Sequence, residues 1–159
     1  MNKYRSVGLA VAGVFLLTAL VGMCVSSKVR AGEKDVIDDW VAAWNSHDPD
    51  AVVAVFSRDA VYEDVPLGLL NHGTDEIRAF AEFFFTASPD LNIKLVRSHL
   101  EDGHGTIEWV FSGTDVGIFG TGKRYSVRGV TVLDVHHGKI TRNLDYYDFA
   151  TILRELGQL

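Results

Sequence analysis

The stretch "GKITRNLDYYDFATILREL", Gly138 to Leu156, sets Asp145 and Asp148 among aromatic and aliphatic residues that otherwise suit a core. Taking a carboxylate out of water is costly unless a partner or a reaction compensates. Alone in an apolar pocket, an aspartate has its pKa raised from about 3.9 toward values useful for accepting a proton. An arginine within about 4–6 Å opposes that rise and leaves a structural or ligand-orienting ion pair. Asp148 reads more simply as the N-cap of a last helix, where a side-chain acceptor is needed. Glu63 and Asp64 end the segment "DAVYED", and whichever faces inward is a second acid.

Other chemistries find little support. His136 and His137 form a turn pair whose side chains are expected to diverge, and the other four histidines fall on separate loops or strand ends. Zinc needs three or four ligands converging at about 2.0–2.3 Å, so no metal is expected. The segment "GIFGTGK" precedes a strand rather than a helix N-terminus, so it reads as a hairpin connection able to cover a pocket, not as a phosphate loop. No Gly-x-Ser-x-Gly elbow is present.

The elements that must position these residues follow from periodicity. Val36, Ile37, Trp40, Val41 and Trp44 recur at helical spacing over 33–45. Asp48 and Pro49 suit the N-cap and N1 of a second helix. "DAVYEDVPLG" is a short strand and turn. Thr74 is expected to cap a third helix that buries Ile77, Phe80, Ala81, Phe84 and Phe85. The period then drops to 2 in "LNIKLVRSHL", "GTIEWVFSGTDVG", "KRYSVRGVTVLDV" and "KITRNLDYYD", joined by glycine-bearing turns suited to antiparallel neighbours. A helix over 149–156, stopped by Gly157, closes the chain. The expected class is α+β: a curved antiparallel sheet with N-terminal helices on its concave face, forming a cone (a cystatin-like roll). Such a cone leaves a cavity for a small molecule.

The 159 residues amount to one domain after an N-terminal leader. Lys3 and Arg5, an apolar run from Val7 to Val25, and "SSKVRAG" have the layout of a signal peptide cut after Ala31, or of a retained membrane anchor. The expected location is therefore periplasmic or secreted, with membrane contact only through an uncleaved leader. The leader carries four of the 15 Lys and Arg and none of the 21 Asp and Glu, so residues 32–159 carry a net charge of −10. Nucleic acid is excluded as a partner, because it requires a basic stripe. The one cysteine, Cys24, lies in the leader, so residues 32–159 hold no thiol chemistry.

The order of elements, with "DAVYEDVPLG", "GTIEWVFSGTDVG", "GKRYSVRGVTVLDVHHGKI" and "DYYDFATILRELG", resembles the SnoaL-like polyketide cyclase family of the nuclear-transport-factor-2-like superfamily over 32–159. The resemblance implies a pocket lined by Tyr62, Trp109, Arg128 and a last-strand aspartate acting as base in a cofactor-free ring closure. Asp145 matches that base. The family's histidine on the preceding strand is missing, and Arg128 is offered instead. On this reading Asp145, Arg128 and Tyr62 are the catalytic candidates, with Trp109, Tyr147 and Phe84 walling the substrate. A two-residue loop at His137-Gly138 pairs Asp145 with Val130 and Tyr147 with Arg128, so that Arg128 shares the face of Asp145. A register one residue away separates them. The expected activity is that of a cyclase, isomerase or dehydratase on a mostly apolar molecule, the alternatives being a non-catalytic binder or a dimeric scaffold. A homodimer through the outer face of the sheet is expected from its apolar residues and from the resemblance.

Overall fold

The computed structural model describes residues 36–159. The leader read from residues 1–31 lies outside the described residues. The elements are helix α1 (36–45), α2 (Pro49–Ala54), β1 (Phe56–Asp64), β2 (Leu69–His72), α3 (Gly73–Ala87), β3 (Asn92–Glu101), β4 (His104–Thr114), β5 (Arg124–His136), β6 (Lys139–Tyr147) and α4 (Phe149–Leu156). The six strands form one sheet in the order β2-β1-β6-β5-β4-β3. The fold is α+β, as the periodicity indicated, but the sheet is mixed: β1 runs parallel to β6 while every other pair is antiparallel. That parallel pair forms between segments about 80 residues apart in sequence, which no local pattern announces.

The local signals act as their chemistry requires. Asp48 caps α2 by accepting from the Asp50 amide at 2.9 Å, with Pro49 at the first turn. The cap of α3 lies two residues before the expected one. His72, not Thr74, is its N-cap, and Glu76 reaches back to accept from the His72 amide at 2.6 Å. Asp148 occupies the N-cap of α4, yet its carboxylate accepts from the Thr151 hydroxyl at 2.6 Å and from Arg154 rather than from a backbone amide. Gly157 takes the left-handed conformation that ends α4.

The core lies between the helices and one face of the sheet. Trp40 and Trp44 from α1, Ile77, Phe80, Ala81 and Phe84 from α3, and Tyr62, Trp109, Tyr125, Val127 and Leu133 from the strands are all buried in it. On β5 the alternation is strict: Tyr125, Val127, Thr131 and Leu133 point into this layer, and Arg124, Ser126, Arg128 and Val132 point out. Gly129 falls on the inner side, where a Cβ would sit 2.2 Å from the Trp109 ring. Its lack of a side chain lets that indole lie flat across the strand.

Candidate functional site

Position in the strands brings the acids together. Tyr62 and Asp64 lie two apart on β1, and Asp145 and Tyr147 two apart on β6, so each pair shares a face. The parallel register sets Asp64 beside Asp145 and Tyr62 beside Asn143. The hydroxyls then cross between the strands. Tyr62 donates to Asp145 Oδ2, and Tyr147 donates to Asp64 at 3.0 and 3.1 Å from its two oxygens. Both aspartates are buried, Asp64 with 4 % and Asp145 with 7 % of its surface exposed.

Their environments differ. Asp145 Oδ1 accepts from the Thr131 hydroxyl at 2.6 Å and from Asn143 Nδ2 at 3.0 Å, so the carboxylate holds three donors. Thr131 is itself held by Trp109 Nε1, which donates to its oxygen at 2.8 Å. Asp64 has only Tyr147 and the Leu67 amide, the latter at 3.1 Å. Burial pushes the Asp145 carboxyl upward, against the pull of its three donors. Burial, and then the charge of Asp145, push Asp64 up to about 6. Tyr62 and Tyr147 are driven upward by burial and by the neighbouring carboxylates, so both remain protonated donors.

Arg128 is not part of the site. The hairpin loop is His137-Gly138, with both residues at positive φ (51° and 73°), and His136 pairs with Lys139 as anticipated. A bulge then follows between Ile140 and Arg142, where the Thr141 hydroxyl donates to the Asp134 carbonyl at 3.2 Å. Beyond it the register is shifted by one, so Asp145 pairs with Thr131 and Tyr147 with Gly129. Arg128 therefore points outward, its side chain 72 % exposed, and donates to Glu108 at 2.5 Å. The rings of His136 and His137 meet edge-on, centroids 4.0 Å apart, rather than diverging. Among the described residues no three His, Cys, Asp or Glu side chains converge to hold a metal ion.

Two chambers adjoin each other here, and the carboxyl pair lines the inner one. The inner one, about 40 Å³, is bounded by Asp64, Asp145, Trp40, Trp44, Phe80 and Trp109, among others. The outer one, about 270 Å³, lies among Phe83, Ile118, Phe119, Phe149 and Ile152. Phe84, Phe111 and Tyr147 line both chambers and so stand between them. The loop over 115–123 borders the outer chamber and is held in shape. The Asp115 carboxylate accepts from the amides of Ile118, Phe119 and Thr121 and from the Thr121 hydroxyl, at 2.8–3.0 Å. Of the expected site residues, Asp145, Tyr62, Trp109, Tyr147 and Phe84 thus converge. Asp64 enters as the second inward acid, and Thr131 was not anticipated. Their signal was the spacing Tyr-x-Asp on one strand against Asp-x-Tyr on the other, which acquires meaning only once those strands are known to be neighbours.

Residues 37–143 match the family model described as a SnoaL-like domain. No curated protein matches the chain in sequence. A hypothetical protein of ketosteroid isomerase-like fold from Catenulispora acidiphila, in complex with trimethylamine, is 24 % identical, with 77 % of this chain and 92 % of that one covered and a TM-score of 0.72. A candidate polyketide cyclase from Xanthomonas campestris is 21 % identical, covering 80 % and 98 %, at TM-score 0.72. An LEH-like epoxide hydrolase from M. tuberculosis is 19 % identical, covering 80 % and 91 %, at 0.67. At these identities the likeness is one of fold.

Proposed function

The chain belongs to the SnoaL-like domain family, and on that premise we propose that it is a cofactor-free proton-transfer enzyme of the cyclase, isomerase or dehydratase kind, acting on a mostly apolar, oxygen-bearing small molecule. The observation that carries this reading is a pair of buried carboxyls facing a largely aromatic chamber with no cation beside them among the described residues. The same fold serves many chemistries, so the site and not the fold supports the proposal.

The division of labour follows from the hydrogen bonds. Asp145 accepts from three donors, which suits a fixed negative charge better than a proton carrier. Asp64 holds fewer donors and is poised at about 6, near a working pH. Asp64 therefore takes a proton from the carbon beside a substrate carbonyl, and the electron pair moves onto the carbonyl oxygen. The Tyr147 hydroxyl is the protonated donor available to that oxygen. The proton returns from Asp64 at another carbon in an isomerisation, or to the oxygen formed when the enolate attacks a second carbonyl in a ring closure. In a dehydration it goes to the departing hydroxide.

The test is turnover of an apolar ketone and enone panel by the unaltered chain, Asp64→Asn and Asp145→Asn. Loss of at least about a hundredfold in kcat for Asp64→Asn, with binding retained, supports the assignment. If the unaltered chain turns nothing over while apolar ligands raise its Tm, the chamber is a binding site only.

A further inference from the structure

Carboxylates border both chambers, and no lysine, arginine or histidine lines either one among the described residues. Asp64 and Asp145 face the inner chamber and Asp115 the outer. Every donor that Asp64 and Asp145 hold is neutral: hydroxyls, one carboxamide and one backbone amide. The buried negative charge is thus hydrogen-bonded but has no counter-ion, a state that remains costly in a low dielectric. Beside Asp145, Asn143 Oδ1 is buried with no donor at all. Apart from Leu91 and Ile93, the rest of the inner wall is aromatic, with Trp40, Trp44, Tyr62, Phe80 and Trp109 among its rings. Ring faces attract a cation, the more so where water is excluded.

We infer that the inner chamber receives the ammonium head of a primary alkylamine and the outer chamber its hydrocarbon tail. An ammonium supplies what the site lacks: one positive charge, three hydrogen-bond donors for acceptors in surplus, and a body small enough for about 40 Å³. An anionic head meets two carboxylates and no compensating group. A hydroxyl head brings one donor and no charge. The tail passes Phe84, Phe111 and Tyr147 into a chamber whose lining, Asp115 apart, is aliphatic and aromatic. The inference rests on the reading of this cavity as a small-molecule site and adds that the oxygen-bearing molecule proposed for it also carries an amino group.

Calorimetric titration of the unaltered chain at about pH 7.5 with octylamine, 1-octanol and octanoate decides it, because an alkylamine with a pKa of about 10.4 is fully charged there. Octylamine is expected to bind at least about tenfold more tightly than octanol, and octanoate not measurably. Asp64→Asn, and independently Asp145→Asn, should remove most of that advantage while leaving octanol within about twofold. Octanol binding as tightly as octylamine overturns the ammonium assignment and leaves the neutral-substrate reading standing. Equal weakening of both ligands by each substitution overturns it as well, since the carboxylates would then act only on structure. If none of the three binds, both readings fall.

Discussion

At the scale of single residues, Asp64 is the group whose state the fold controls most visibly. Its pKa of about 6 lies above the ordinary value of 3.8, so the native chain binds that proton more tightly than the unfolded chain does. Stability contributed by this residue is therefore present below about pH 4 and lost as pH rises to about 6. A difference of roughly two pH units corresponds to about 3 kcal/mol. Asp64→Asn removes the penalty, so the variant should be more stable than the unaltered chain by about 1–3 kcal/mol at pH 7.5, and about equal to it at pH 4. Urea denaturation at the two pH values checks this, and a less stable variant at pH 7.5 contradicts it. Gly129 matters for the opposite reason, the absence of a side chain. Gly129→Ala drives a Cβ to 2.2 Å from the Trp109 ring, which should cost about 1–3 kcal/mol and loosen the Trp109–Thr131–Asp145 chain of hydrogen bonds. Denaturation midpoint and tryptophan emission report the two effects together. An unchanged midpoint would show that the indole has room to move.

At the scale of elements, the helix and strand identities were legible because they rest on local pattern. The apolar spacing of α3, the alternation of β3 to β6, the Asp48-Pro49 start of α2 and the Gly157 stop of α4 each express chemistry within a few residues. The last-strand position of Asp145 was legible for the same reason. What the pattern did not carry was non-local. The short β2 was missed, and the β1–β6 pairing that sets Asp64 beside Asp145 depends on a contact between segments 80 residues apart. The bulge at Thr141 was hidden too, since no glycine marks it and one hydroxyl bond to the Asp134 carbonyl accompanies it. That single extra residue moves Arg128 to the outer face and leaves the acids without a cation. A sequence reading one residue out of register gives an ion pair, and the true register gives a charged pocket.

At the scale of the whole molecule, the acidic balance of residues 32–159 continues into the interior: both chambers carry carboxylates and neither carries a lysine, arginine or histidine among the described residues. The helices and the inner face of the sheet exclude water from the pair, and that exclusion is what raises both carboxyls. The most direct test is a carbon-detected NMR titration of the aspartate carboxyls in the unaltered chain and in Asp145→Asn. Asp64 should titrate near 6, and removing the Asp145 charge should move it toward the ordinary range. Titration of Asp64 near 4 in the unaltered chain, unmoved by Asp145→Asn, would contradict the coupled buried pair on which the account depends.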